Sequence, residues 1–95
     1  MVPLSLGSDT NGSIRVPSSF CGIYGLKPTY GRLSRHGAYL FSASLDDTGP
    51  FARSVTDLAA CYDVLQYSDP RDPVCARRPT EAVSASLTKG ASGLR

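Results

Sequence analysis

The sequence has little of what metal-binding, redox, nucleic-acid-binding and membrane proteins need. It has one histidine and three cysteines among 95 residues, and no two cysteines have the Cys-x-x-Cys spacing of a zinc or redox centre. The net charge of +2 is too small to indicate a nucleic-acid partner. No apolar run approaches the roughly 18 residues that a membrane span requires. We therefore expect no cofactor, no metal, no nucleic-acid contact and no membrane contact.

The cysteines and the histidine also carry information about compartment and chemistry. Cys21, Cys61 and Cys75 are odd in number and widely spaced, which indicates free thiols in a reducing compartment. The first residues lack the basic and apolar regions of a secretory signal, so we expect a cytoplasmic protein. The histidine, His36, is followed by Gly37 in a polar stretch typical of an exposed turn, and we do not expect it to be catalytic.

A strand, a tight turn and a helix are predicted at the start of the chain. Apolar and small residues alternate over residues 2–6, which predicts a short strand. Residues 7–13 are all small or turn-forming, and Asn11 and Gly12 belong to the types that most readily adopt positive φ. We expect a helix to begin at or just after Ser13. Such a turn directs several backbone N–H groups into one small space, which is the geometry of an oxyanion hole.

The turn alone does not define an enzyme class. It lacks the Gly-Lys-Ser/Thr ending of a nucleotide-binding loop. It is also not a Gly-x-Ser-x-Gly elbow, because Arg15 stands where that motif needs its second glycine. The longer string is more specific, and it consists of Asp9-Thr10-Asn11-Gly12-Ser13-Ile14-Arg15, Pro17, Phe20-Cys21-Gly22, Gly25-Leu26-Lys27-Pro28-Thr29 and Gly31-Arg32.

This string closely resembles the second half of the amidase signature. That signature marks amide hydrolases and the A subunit of the amidotransferases that act on misacylated tRNA. Three downstream stretches also fit the family: Ser44-Leu45-Asp46, Gly49-Pro50-Phe51-Ala52-Arg53-Ser54 and Asp57. Within the family, the pattern is most similar to the large subunit of carboxybiuret-type hydrolases. The resemblance runs from about residue 2 to 65, and more weakly to 78.

The resemblance implies a Ser–Ser–Lys catalytic triad with Ser13 as the acylated nucleophile. The backbone N–H groups of Thr10, Asn11, Gly12 and Ser13 would line the oxyanion hole. The family usually has two glycines where this chain has Asn11-Gly12. The asparagine side chain is therefore expected to narrow the pocket or to add a hydrogen-bond donor.

The other members of the implied triad are a lysine and a bridging serine. In the family both lie upstream of the nucleophile, at greater separations than the residues that precede Ser13 here, so we expect them outside this chain. Lys27 is not a substitute base, because Pro28 favours an extended backbone there and a lysine with a paired or solvated head. Asp9 and Arg15 are expected to support the loop, as a charge-assisted pair.

The fold implied by the resemblance is α/β, a piece of the α/β/α mixed-sheet fold of the family, in which the first strand is central. A capping-box pattern and helical spacing predict an amphipathic helix over residues 54–66. Residues 33–51 are expected to be irregular with short extended pieces. We assign residues 1–68 to a partial amidase domain. Residues 69–95 are assigned to a linker or tail of that domain, with a short helix near 81–89 as the alternative.

The expected function is that of a fragment of an amidase that cleaves the carbon–nitrogen bond of a small amide through an acyl-serine and is inactive alone. Its partner would be the missing upstream part of the domain or a partner subunit. One alternative is a segment of a split or assembly-dependent amidase or amidotransferase. Another is a non-catalytic module that binds an anion at the helix N-terminus. A third is a remnant that folds poorly.

Overall fold

The computed structural model describes residues 1–93, which form a small antiparallel sheet with helices against it. The strands are β1 (Leu4–Asp9), β2 (Tyr24–Gly25) and β3 (Asp47–Ala52), in the sheet order β1-β3-β2. The helices are α1 (Arg15–Cys21), α2 (Val55–Leu65) and a 3₁₀-helix at Ser84–Lys89. The predicted order of strand, turn and helix at the start of the chain is therefore confirmed.

The central strand, β3, was only partly anticipated. The sequence predicted short extended pieces in residues 33–51, because Gly49 and Pro50 are typical strand breakers. The structure instead pairs β3 with both neighbouring strands, and Asp9 lies opposite Asp47 in the β1 ladder. The Pro50 carbonyl accepts a hydrogen bond of 3.0 Å from the Leu26 N–H. Pairing on both sides thus overrides the low strand propensity of these two residues.

The strand β1 lies at the edge of this sheet. Among residues 1–93, β3 is the only strand that pairs with it. Leu4 and Leu6 are 40% and 61% exposed on this strand. The expectation that β1 is a central strand referred to the sheet of an intact family member. In this chain β1 has a single neighbouring strand, β3, among residues 1–93.

Ile14 is the centre of the packing between the Ser13 loop, which we define as residues 10–14, and the sheet. It is 0% exposed. It faces one glycine in each strand, Gly7 in β1, Gly25 in β2 and Gly49 in β3, and a Cβ added to each would lie 2.8–3.6 Å from an Ile14 side-chain atom. The absence of side chains at these three positions lets the loop approach the sheet closely.

The helix α2 forms where the sequence predicted it. The Ser54 hydroxyl caps it by accepting a 3.1 Å hydrogen bond from the Asp57 N–H, and donates in turn to the Asp57 carboxylate at 2.7 Å. The capping-box pattern thus forms a cap, with aspartate in place of glutamate.

The segment after α2 returns to the end of that helix. Gln66 is 1% exposed. Its amide donates to the Glu81 carbonyl at 2.6 Å, and its carbonyl accepts from the Glu81 N–H at 2.9 Å. The buried guanidinium of Arg32 also donates to Gln66 and, at 3.1 Å, to the Pro79 carbonyl. The short helix considered near residues 81–89 is present as the 3₁₀-helix Ser84–Lys89. The assignment of residues 69–95 as a linker or tail of the same domain stays a prediction, and residues 94 and 95 lie outside the described part.

Replacing Ile14 by alanine tests whether this side chain holds the loop on the sheet. We expect the free energy of unfolding to fall by about 2–5 kcal/mol, because the change leaves a cavity over three glycines that cannot fill it. Val64 lies on α2 and is 80% exposed, so Val64→Ala is the matched control and should change stability by less than about 0.5 kcal/mol. Chemical denaturation monitored by circular dichroism measures both. Equal effects of the two substitutions would contradict the assignment of Ile14 as the packing centre.

Candidate active site

The Ser13 loop follows directly from the end of β1 and leads into α1. Gly12 has a φ of +133°, a backbone conformation that L side chains rarely adopt. The sequence interpretation placed Asn11 among the residues suited to positive φ, but only glycines in the described chain have positive φ. The asparagine therefore stands at an ordinary backbone position, and replacing the family's first glycine introduces no left-handed strain there.

The carboxylate of Asp9 organises this loop. It is 0% exposed and ends β1. It accepts five hydrogen bonds, from the N–H groups of Gly12 (2.5 Å), Ile14 (3.0 Å) and Arg15 (3.4 Å), and from Nε and Nη2 of Arg15 (both 3.1 Å). The charge-assisted pair expected from the sequence is thus present. It spans the loop from the end of the strand to the first residue of the helix.

These contacts set the charge state of Asp9. The side-chain hydrogen bond with Arg15 is the largest influence and holds the pKa of the Asp9 carboxyl well below its usual range. Burial opposes that shift, and the backbone N–H groups of Ile14, Gly12 and Arg15 add to it. A buried carboxylate of this kind stays ionised because its partners replace the water that it lost.

The same contacts bear on the alternative of an anion-binding module. That alternative needs free N–H groups at the start of α1. The Ile14 and Arg15 N–H groups already donate to Asp9, so an internal carboxylate fills the position that an external anion would take. With seven residues, α1 is also a short helix. The anion-binding alternative itself stays a prediction.

The structure divides the four N–H groups expected to line an oxyanion hole. The N–H of Gly12 donates to Asp9, so in this conformation it is engaged. The N–H groups of Asn11 and Ser13 have no hydrogen-bond partner within residues 1–93. Thr10 forms a hydrogen bond through its side chain: its hydroxyl donates to the Asp46 carboxylate at 2.5 Å.

Asp46 is a site residue that the sequence interpretation did not single out. Its side chain is buried, and besides Thr10 it accepts the N–H groups of Phe41 (2.5 Å) and Ser42 (2.9 Å). The hydrogen bond from Thr10 is the largest cause of a lowered pKa at this carboxyl, and the Ser42 N–H adds to it. The signal was the stretch Ser44-Leu45-Asp46, which matched the signature but gave no hint that it contacts residue 10.

Ser13 is exposed and lines an open depression of about 640 Å³. No side chain or backbone group in residues 1–93 forms a hydrogen bond with its Oγ. The depression is formed by the end of β1, the loop, the first turn of α1 and one aromatic residue from the segment before β3: Ser8, Thr10, Asn11, Gly12, Ser13, Val16, Pro17 and Phe41.

Two other polar residues considered in the sequence lie elsewhere. The ammonium of Lys27 donates to the Asp47 carboxylate and, at 3.0 Å, to the Pro28 carbonyl, so its head is paired as expected. His36 is exposed and lines a separate depression of about 470 Å³ between β1 and the end of α2. Neither residue forms a hydrogen bond with Ser13.

Two negative findings concern the described residues. Within residues 1–93, no group of three or more His, Cys, Asp or Glu side chains is placed to hold a metal ion. In the same part of the chain, no helix has both the length and the apolar character that crossing a bilayer requires.

A buried Asp9, paired with an Arg15 whose side chain is about half exposed, thus holds an exposed serine on a strand–turn–helix unit. The sequence model of the family described as amidase matches residues 1–95. The chain belongs to the amidase family. The 1-carboxybiuret hydrolase subunit AtzE from Pseudomonas sp. (strain ADP) is 57% identical over 94 residues, which are 99% of this chain and 21% of that protein. The A subunit of the glutamyl-tRNA(Gln) amidotransferase from Synechococcus sp. (strain CC9311) is 54% identical over 91 residues, 96% of this chain and 19% of that protein.

Solved structures of amidase-family proteins have the same fold over the matched part. A chain from a vestigial protein complex that reveals the evolutionary origins of an s-triazine catabolic enzyme superposes with a TM-score of 0.94 at 57% identity over 99% of this chain and 21% of its own. The A subunit of the glutamyl-tRNA(Gln) amidotransferase from Thermotoga maritima gives a TM-score of 0.77 at 42% identity, over 82% of this chain and 17% of its own. The α/β fold class and the family expected from the sequence are therefore confirmed.

The chain spans about a fifth of the length of the curated relatives that it matches. It is thus a fragment with respect to these relatives, and it corresponds to the stretch of their sequence that contains the Ser13 loop. By family it is related to hydrolases that act on amides.

The lowered pKa of Asp9 predicts how stability depends on pH. An unfolded aspartate titrates near pH 4, and the folded carboxyl titrates lower, so the stabilising charge is fully present above about pH 5 and is lost as the pH falls below about 4. We expect Asp9→Asn to be much less stable than the parent chain at pH 7, and the difference to shrink toward pH 3. Urea denaturation at both pH values measures it. A difference that stays constant over this range would contradict the ionised state of Asp9.

Proposed function

We propose that this chain is the nucleophile-bearing segment of an amidase that hydrolyses the carbon–nitrogen bond of a small amide through an acyl-serine intermediate. The observation that carries this proposal is the exposed Ser13 in the depression, on a loop anchored by a fully buried carboxylate. Membership of the amidase family supports the reaction class.

The proposed reaction begins when Ser13 Oγ attacks the carbonyl carbon of the amide. The carbonyl oxygen becomes an oxyanion, and donors fixed in advance lower the energy of that charge. The N–H groups of Asn11 and Ser13 suit this role because they have no partner among residues 1–93. The amine or ammonia then leaves with a proton, and water hydrolyses the acyl-serine to release the acid.

Gly12 and Thr10 have different parts in this proposal. The N–H of Gly12 donates to Asp9, so its contribution is to fix the turn, and it joins the oxyanion hole only if that bond opens. Thr10 contributes its N–H to the hole and its hydroxyl to Asp46, which keeps the loop attached to the segment before β3. Asp9 and Arg15 act as support, since their pairing fixes both ends of the turn.

The proton of Ser13 needs a base, because a serine hydroxyl is a weak nucleophile without one. No group in residues 1–93 is hydrogen-bonded to Ser13 Oγ, and Lys27 is bound to Asp47. We therefore propose that the base and its bridging serine come from residues outside this chain, as the family resemblance implies. The chain alone is expected to be inactive, and a split or assembly-dependent amidase or amidotransferase is the second candidate.

A partner and a cellular compartment also belong to the proposed function. The partner is a small amide, together with the upstream part of the domain or a partner subunit that completes the site. Cys21, Cys61 and Cys75 are free thiols, which suits the reducing conditions of the cytoplasm.

The decisive experiment compares the chain alone with the chain combined with a polypeptide that supplies the upstream part of an amidase domain. We expect release of ammonia from simple amides only in the combination, because only there does Ser13 have a base. Ser13→Ala should abolish the activity, and a mass increase equal to the acyl group should be found on the peptide that contains Ser13.

Ser19 provides the matched control, because it is also exposed and lies on α1. Ser19→Ala should leave the rate within about twofold of the parent. Ammonia release that survives Ser13→Ala would refute the assigned nucleophile. Turnover by the chain alone that depends on Ser13 would refute the claim that the base lies outside it.

A further inference from the structure

Arg35 lies outside the Ser13 loop, in the stretch of chain between β2 and β3, and its side chain is buried. Its Nη1 donates to the carbonyl of Ala43 at 2.8 Å and to that of Asp46 at 3.1 Å. Both carbonyls belong to residues 41–46, which we call the 41–46 segment. This segment also carries the Asp46 carboxylate, which accepts the hydroxyl of Thr10. The guanidinium therefore fixes the backbone of a segment whose side chain binds the Ser13 loop.

Asp72 holds Arg35 from the other side. Its carboxylate is buried, accepts the Arg35 N–H at 2.8 Å and lies 3.6 Å from Arg35 Nε. Nε itself is buried and has no hydrogen-bond partner among the described residues. Because an unpaired buried N–H costs free energy, the guanidinium is not placed for the best pairing with its counter-ion. Its position instead satisfies the two carbonyls of the 41–46 segment.

Tyr30 restricts the same segment. Its hydroxyl donates to the Ala43 carbonyl at 2.8 Å, so this oxygen accepts from both Tyr30 and Arg35. The ring of Tyr30 also lies against the guanidinium, whose Cζ is 5.1 Å from the ring centroid. A cation over an aromatic face is attracted by the electrons of the ring. The two donors thus converge on one backbone oxygen, and each helps to hold the other in place.

Asp72 belongs to a well-packed stretch after α2, residues 69–76, which we call the 69–76 segment. Three hydrogen bonds join this segment to residues 31–35: from the Ala76 N–H to the Gly31 carbonyl (2.7 Å), from the Ser34 hydroxyl to the Asp69 carboxylate (2.9 Å) and from the Arg35 N–H to the Asp72 carboxylate. Two of them do not involve Asp72. The position of its carboxylate is therefore also fixed by contacts other than those with Arg35.

A purely stabilising role does not account for a charged pair at this place. A buried ion pair is often no more stable than apolar side chains of the same volume, because both charges lose their water. An apolar side chain at position 35 would fill the space without binding the two carbonyls of the 41–46 segment. The specific gain from Arg35 is the fixed position of that segment.

We propose that Arg35, held by Asp72, is a positioning residue for the Ser13 loop. Arg35 fixes the 41–46 segment, Asp46 then meets the Thr10 hydroxyl, and Thr10 holds the start of the turn that forms the oxyanion hole. In this proposal neither Arg35 nor Asp72 contacts the substrate. The inference rests on the proposed function for the reaction that the loop performs. The contacts themselves lie within this chain.

The test measures whether the contact between Asp46 and Thr10 depends on Asp72 in the folded chain. Asp72→Ala removes the acceptor that holds Arg35, and NMR titration of the ¹³C-labelled full chain measures the pKa of the Asp46 carboxyl. Removal of a nearby negative charge by itself lowers this pKa. Loss of the Thr10 hydrogen bond raises it, because that bond is the largest cause of the lowered pKa. We expect the pKa of Asp46 to rise by about 0.5 or more.

Asp69→Ala is the matched control. Asp69 is buried in the same segment, but its ion pair is with Arg71 and not with Arg35. The substitution removes the same charge from the same segment, so the pKa of Asp46 should stay unchanged or fall. Circular dichroism verifies that each variant is folded. An equal rise in this control would overturn the proposal, because it would show a general loosening of the segment.

Asp72→Asn is the second variant. It loses the ion pair with Arg35 but keeps an acceptor for the Arg35 N–H, so it is the milder change and should raise the pKa of Asp46 less. An unchanged or lowered pKa in folded Asp72→Ala contradicts the proposal. Where Asp72→Ala does not fold, the same result in Asp72→Asn contradicts it.

Turnover measures the consequence for the reaction in the combination with the upstream polypeptide. We expect Asp72→Ala to lower kcat for ammonia release about tenfold or more, because a displaced loop misplaces the donors for the oxyanion. KM should stay within about twofold, since no substrate contact is removed. Asp69→Ala should leave both parameters within about twofold of the parent. A parent-like kcat in folded Asp72→Ala overturns the proposal.

Failure of the inference is distinguishable from failure of the proposed function. If the parent combination shows no Ser13-dependent ammonia release, the function is refuted, and the pKa of Asp46 alone decides whether Asp72 positions the loop. Ser13-dependent release that Asp72→Ala leaves unchanged would support the function and overturn the role of Arg35 and Asp72.

Discussion

The buried carboxylate of Asp9 is the constraint on which this site depends. A charged group with no exposed surface is stable only when its hydrogen bonds are satisfied, and Asp9 meets that condition through the backbone N–H groups of Gly12, Ile14 and Arg15 and the guanidinium of Arg15. The chain must therefore turn sharply after β1 to bring those donors round the carboxylate. Ser13 lies within this turn, and its position follows from the need to satisfy Asp9.

A second carboxylate, that of Asp46, connects the Ser13 loop to a distant part of the sequence. Asp46 binds the Thr10 hydroxyl as well as the N–H groups of Phe41 and Ser42. Asp47, the next residue, binds Lys27 and lies opposite Asp9 in the sheet. The site is thus held by acidic groups at the end of β1 and the start of β3, and each has a defined set of donors. In such a network, losing one partner leaves a buried charge uncompensated, so the members are strongly coupled.

The chain presents part of a catalytic site in a well-defined form. The loop, its anchors and the depression are all built from residues 7–47, whereas Ser13 and the apolar side chains on β1 are exposed. The amidase relatives are about five times as long as this chain. The local geometry depends on contacts within the chain, and the proposed activity depends on groups that approach Ser13 from outside it.

The sequence by itself determined the family, the order of strand, turn and helix, the helix α2 with its Ser54 cap, and the pairing of Asp9 with Arg15. These features depend on residues close in sequence, where spacing and side-chain chemistry are sufficient to define the contact. Only the tertiary structure decided that β3 is the central strand, that Gly12 gives its N–H to Asp9, and that Asp46 holds Thr10 and Phe41. The strand pairing and the Asp46 contact with Thr10 join segments some thirty or more residues apart in sequence, which local propensity does not encode. The Gly12 contact is local, but the Asp9 carboxylate and the oxyanion hole both need the N–H groups of this loop, and the sequence does not tell which of the two receives the N–H of Gly12.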